Sequence, residues 1–140
     1  MVAAATRHVS QTITHVPLIT QVAALEAVTH DRADLLSTVQ HYRTRRDRTV
    51  AALREIDGVD CPVPNGGMFV FSSVEQLLLR NHSGVSTSAE LAGWLLEEVG
   101  VAVVPGEAFG APGGLRLCFA VSDQTLDAAL DKLRSALSAL

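Results

Sequence analysis

A chain of 140 residues with a formal net charge of −4, 48% hydrophobic but only 4% aromatic residues, has the size of one domain and enough apolar residues to build a core, which argues against disorder. The negative balance offers nothing to draw nucleic acid or an anionic membrane, and no apolar run approaches the ~20 residues that span a bilayer. The two cysteines, Cys61 and Cys118, make neither a disulfide framework nor a zinc pattern and fit a reducing, cytoplasmic setting.

Residues 1–20 mix Ser, Thr, Gln and His and contain Pro17, which predicts irregular chain before a helix over 21–28. A second helix is predicted from Asp31, a suitable N-cap, to Ile56, with Leu35, Leu36, Val39, Val50, Leu53 and Ile56 along one stripe. Gly58 stands just past its end, where a C-cap glycine belongs. At 1.5 Å per residue such a helix would be about 40 Å long, more than a small domain needs, so it is expected to reach toward something else. Residues 59–63 and 68–71 read as strands joined by the turn Pro64-Asn65-Gly66-Gly67, since Asn-Gly between apolar runs signals a hairpin. Residues 72–85 read as loop with one helical turn.

Thr87-Ser-Ala-Glu90 has capping-box spacing and opens a helix to Val99, buried through Leu91, Trp94, Leu95 and Leu96 and stopped by Gly100. Strands follow over 101–104 and 115–120, separated by a Gly- and Pro-rich loop. Ser122-Asp123 then caps a last helix with Leu126, Leu130, Leu133 and Leu137 as its core stripe. The fold class expected is α+β, a small and mostly antiparallel sheet covered by helices, with one long helix near the start.

Arg116 stands out on physical grounds. In Leu115-Arg-Leu-Cys-Phe119 a period of two puts Leu115, Leu117 and Phe119 on one face and Arg116 with Cys118 on the other. The alternation leaves two readings open: an arginine on a solvated sheet face, or a planar guanidinium fork binding a carboxylate bidentately. The preceding loop, with bulky Phe109 in it, suits a ligand mouth. The arginines at 43, 45, 46 and 48 read as a solvated helix face rather than a nucleic-acid surface. His8, His15, His30, His41 and His82 are scattered without metal-ligand spacing, and no metal site is expected. Ser83 lacks a nucleophile-elbow setting. Lys132 is the only lysine.

From Tyr42 onward the chain resembles aminotransferases of the aspartate aminotransferase family, fold-type I enzymes that use pyridoxal phosphate. The stretches that carry the resemblance are Tyr42-Arg-Thr-Arg-Arg-Asp47, Pro64-Asn-Gly-Gly-Met-Phe-Val-Phe71, Val101-Ala-Val-Val-Pro-Gly-Glu-Ala-Phe-Gly110 and Leu115-Arg-Leu-Cys-Phe-Ala120. Upstream, Gln11-Thr-Ile-Thr-His15 and Gln21-Val-Ala-Ala-Leu25 are similar to the segment after the family's cofactor lysine. The resemblance implies that residues 1–30 correspond to a remnant of the large-domain or interdomain segment and 31–140 to the small domain. It implies that Arg116 binds the substrate α-carboxylate, that Gly106, Phe109 and Gly110 belong to the active-site entrance loop, and that Thr14 and His15 lie near a partner subunit's site. Here Val16 follows them and the family's proline is delayed to Pro17.

Transamination needs a Schiff-base lysine, an acid for the pyridinium nitrogen and a phosphate cradle. In this family the large domain supplies all three, so no catalytic residue is expected in this chain, and Lys132 is not the lysine's counterpart. Pyridoxal phosphate is therefore expected in the complete enzyme and not on this chain alone. The partners implied are a large domain or complementary subunit, an amino-acid or 2-oxo-acid substrate, and further copies in a homo-oligomer. A stand-alone binding or interaction module and a part of a related pyridoxal-phosphate lyase remain alternative readings.

Overall fold

The structure, a computed structural model, describes residues 1–30, 33–80 and 84–140. The chain divides into two compact units, Met1–Leu36 and Ser37–Leu140.

In the first unit, α1 (Val2–Thr12) and α2 (Leu18–Thr29) precede the start of α3 (Ala33–Arg54). The opening is thus helical where irregular chain was expected. The hydroxyls that would compete with a helix instead bond back to its own carbonyls, Thr6 to Val2 at 3.1 Å, Ser10 to Arg7 at 2.9 Å and Thr12 to His8 at 2.9 Å. Pro17 sits just before the first turn of α2, where its missing N–H does no harm. Between the two helices Thr14 takes φ +57, a left-handed conformation unusual for a β-branched residue. Every described residue of this unit is exposed. The N-cap expected at Asp31, and the readings of His82 and Ser83, lie outside the described residues.

The stripe predicted for α3 divides. Val50 and Leu53, with Ile56 just beyond the helix, are buried, whereas Leu35, Leu36 and Val39 are exposed. In the second unit β1 (Phe69–Ser73), β2 (Val104–Pro105) and β3 (Gly114–Cys118) form an antiparallel sheet in the order β1-β3-β2. Residues 59–63 contribute only the Asp60–Ser73 bridge rather than a strand of a tight hairpin. Pro62 and Pro64 have no N–H to give a ladder, and β1 pairs instead with a strand far along the chain. The strand expected over 101–104 shortens to Val104–Pro105.

One sheet face, Val70, Ser72, Leu115 and Leu117, is buried under helices. Those helices are the second half of α3, α4 (Glu75–Arg80), α5 (Ser88–Trp94) with its π-helical extension over Leu95–Val99, and α6 (Asp123–Leu137). The capping box of α5 is complete: the Glu90 N–H donates to Thr87 Oγ1 at 3.1 Å, and the Thr87 N–H donates to the Glu90 carboxylate at 3.1 Å. Gly100 ends the extension with φ +71, a conformation open to glycine. Leu91 and Leu95 are fully buried, but Leu96 faces water. Leu126, Leu130, Leu133 and Leu137 of α6 are all buried, each contributing roughly 1.5–3 kcal/mol through area removed from water. Arg45 and Arg48 of α3 are not merely solvated: both bond Asp123 at the start of α6, at 3.0 and 3.2 Å, and Arg48 also reaches Asp127 at 3.2 Å. The Arg45 guanidinium, ahead of Arg48, holds the Asp123 carboxyl below the usual range.

Candidate functional site

With the helices on one side, the other sheet face is left for chemistry. Strand alternation in β3 sends Leu115 and Leu117 inward and Arg116 outward, half-buried. The register sets Phe71 opposite Arg116 and Phe69 opposite Cys118, so both rings share the face of the guanidinium. Arg116 Cζ lies 4.4 Å from the Phe69 ring centroid and 4.7 Å from that of Phe109, distances at which the ring quadrupole attracts a cation. Phe71 meets Phe109 edge to face at 6.2 Å. Among the described residues the guanidinium makes contact through these ring faces and with no carboxylate or carbonyl acceptor. Its five N–H donors stay uncommitted in a cleft of aromatic carbon, an arrangement suited to a planar anion such as a carboxylate.

Phe109 reaches Arg116 from the short 3-10 turn Gly106–Phe109. The Ala111 N–H donates to the Gly106 carbonyl at 2.9 Å and the Gly110 N–H to that of Glu107 at 3.1 Å, and Gly110 takes φ +69. Gly106 has no room for a side chain, because a Cβ there would press into the Ala111 carbonyl oxygen and lie 3.0 Å from Gly114 Cα. Gly114 in turn accommodates the Phe71 ring, whose end atoms occupy the place of a Cβ. The loop is fastened to α5 by Ser88, whose Oγ donates to Glu107 Oε2 at 2.6 Å and accepts from the Gly113 N–H at 2.9 Å. The Ser88 hydroxyl, followed by the backbone N–H of Glu107 itself, holds the Glu107 carboxyl below the ordinary glutamate value.

Of the residues singled out from sequence, Arg116, Gly106, Phe109 and Gly110 therefore share one cluster. Thr14 and His15 belong to the Met1–Leu36 unit, exposed in the turn between α1 and α2. Phe69, Phe71, Ser88 and Glu107 escaped sequence reasoning. Alternation within 68–71 hinted at a face for the rings, whereas the partnership of Ser88 with Glu107 had no local signal. Lys132 is exposed and donates to the Val99 carbonyl at 3.1 Å. With no other lysine in the chain, these residues do not by themselves fit pyridoxal phosphate. Burial pushes the Cys61 thiol up, so it is protonated at neutral pH, while Cys118 is exposed. Among the described residues no group of His, Cys, Asp and Glu could hold a metal, and no helix is long and apolar enough to cross a membrane.

Residues 1–133 match the family model for aminotransferase class I and II. The aspartate aminotransferase of Streptomyces avermitilis is 41% identical over 117 residues, which are 82% of this chain and 29% of that protein. The probable aspartate/prephenate aminotransferase of Aquifex aeolicus is 34% identical, over 91% of this chain and 32% of that one. Among solved structures, the Rhizobium meliloti aspartate aminotransferase superposes with a TM-score of 0.83 at 33% identity, covering 91% of this chain and 33% of its own. The Pyrococcus horikoshii aromatic aminotransferase gives 0.81 at 26% identity, covering 95% and 35%. The chain thus spans about a third of the length of the proteins it matches.

Proposed function

The chain belongs to the class I and II aminotransferase family, and on that premise we propose that it is the carboxylate-binding part of an aminotransferase that moves an amino group between an amino acid and a 2-oxo acid. The observation that carries this reading is the Arg116 guanidinium, lying over the Phe69 and Phe109 rings with its donors uncommitted among the described residues. In this reading Arg116 takes the α-carboxylate bidentately, which fixes the substrate's orientation as well as its charge. The aromatic carbon around it lowers the local dielectric and strengthens the pair. Pyridoxal phosphate, implied by the family, supplies the electron sink when bound, and no residue of this chain is assigned to hold it. A large domain or complementary subunit is the expected partner, and a homo-oligomer the expected assembly.

The test joins this chain to the remaining part of the Streptomyces avermitilis enzyme and follows amino transfer from aspartate. Activity in the chimera is expected to fall about thirty-fold to several-thousand-fold in Arg116→Ala, because truncating one member of a desolvated charge pair costs roughly 2–5 kcal/mol. Arg116→Lys rescues poorly, since an ammonium offers a point charge where a fork is needed. An Arg116→Ala chimera at wild-type efficiency overturns the assignment. The second reading, a stand-alone binding module, rests on the solitary lysine being turned to Val99, and a folded but inactive chimera favours it.

A further inference from the structure

We propose that Ser88 and Glu107 are positioning residues, a latch that holds the loop from Gly106 to Gly113 so that Phe109 stays over the Arg116 guanidinium. The consequence for carboxylate capture rests on the function proposed above; the latch itself rests on geometry alone.

Ser88 is fully buried, and a buried hydroxyl is costly unless its bonds are made. Here one oxygen serves both arms of the loop, donating to Glu107 near its start and accepting from the Gly113 N–H at its end. The Glu107 carboxylate takes the hydroxyl's bond at 2.6 Å from the first residue of α5. These contacts anchor the loop to an element of the core, since Leu91 and Leu95 of the same helical stretch are fully buried.

Phe109 has no such anchorage of its own. It is 48% exposed, and its ring contacts among the described residues are with the Phe71 ring and the guanidinium. Its place depends on the backbone of residues 106–110, and the two intraloop bonds there are short-range. If the loop opened, the guanidinium would lose one of its two rings and the water exclusion that ring provides. Phe69, on β1, would remain.

The experiment is amide hydrogen exchange and proton NMR on the chain in Ser88→Ala, Glu107→Ala and Glu107→Gln. The reporters are the Ala111 N–H, which bonds Gly106 and neither latch residue, and the ring-current shift of the Arg116 side chain. Glu107 is exposed, so its replacement leaves the core intact. Glu107→Ala is expected to speed Ala111 exchange roughly two- to twelve-fold, the factor carried by one net hydrogen bond. The Arg116 ring-current shift shrinks with it, while the Leu117 and Leu133 amides keep their protection. Glu107→Gln, which keeps an acceptor for Ser88, falls between the two. Ser88→Ala has the larger effect where it folds; where it does not, Glu107→Ala decides. Unchanged Ala111 exchange and an unchanged Arg116 shift in Glu107→Ala overturn the latch. Failure of the carboxylate role is read separately, by titrating the same samples with acetate: Arg116 signals that ignore acetate while the exchange effects persist refute that role and leave the latch standing.

Discussion

Gly106→Ala is the sharpest single test of how the site is built. The added methyl would press into the Ala111 carbonyl oxygen and come within 3.0 Å of both Ala111 C and Gly114 Cα. All three are backbone atoms, so no side chain can turn aside to make room. Relief requires the 106–111 turn to open, which breaks the 2.9 Å bond from the Ala111 N–H to the Gly106 carbonyl. Overpacking of this kind costs about 1–3 kcal/mol, and the lost bond about 0.5–1.5 kcal/mol more. Restricting the unfolded chain returns about 0.4–1 kcal/mol. The net centres on about 2 kcal/mol, or a melting temperature about 7–10 °C lower for a domain of this size. Gly93→Ala is the matched control. Its Cβ meets nothing within 4 Å, and in α5 alanine should add about 0.5–1 kcal/mol of stability. Thermal unfolding followed by circular dichroism reads both. A Gly106→Ala chain that melts within about 2 °C of wild type refutes the steric account of this loop.

Leu133→Ala, in the α6 stripe and 2% exposed, is expected to cost about 2–5 kcal/mol in urea unfolding, with a loss under 1 kcal/mol showing that the α6 packing is not as described. Acid is expected to destabilise the chain in a definite window. The carboxyls of Glu90, through Ser86 first, of Glu107, through Ser88, and of Asp123, through Arg45, are all held below their ordinary values. The unfolded chain therefore binds more protons, so this stability is present above the ordinary carboxylate range, about pH 4, and is lost as pH falls through the lower folded values. A melting temperature that holds steady from pH 7 to about pH 5 and then drops fits this sign; one that rises on acidification does not.

Where neighbours in sequence decide structure, the sequence was readable. The α6 leucines, the Thr87–Glu90 box and the alternation around Arg116 need only their own segments, and each stands in the structure as read. Two local readings failed for physical reasons. The hydroxyls of Thr6, Ser10 and Thr12 looked like helix competitors, yet each found a carbonyl of its own helix. The Asn65-Gly66 turn looked like a tight hairpin, yet burial of Val70 and Ser72 drew β1 to β3, some 45 residues on, as the Val70–Leu117 and Ser72–Leu115 pairs record. That long-range register is also what brings Phe69 and Phe71 to Arg116, so a segment-by-segment reading finds the cation and misses its walls. Ser88 is more hidden still. It occurs inside a helix-opening motif whose flanking residues explain themselves, and only the fold reveals that it reaches Glu107 and Gly113.

Lys132, set aside above as a cofactor residue, makes this molecule unusually simple to tag. An amine-directed dye or cross-linker finds one side-chain amine in 140 residues, exposed on α6. A probe fixed there would report docking of another chain or domain near α6. It would also take from the Val99 carbonyl its ammonium donor, so a small loosening of the turn at Gly100 is the cost to watch for in labelled samples.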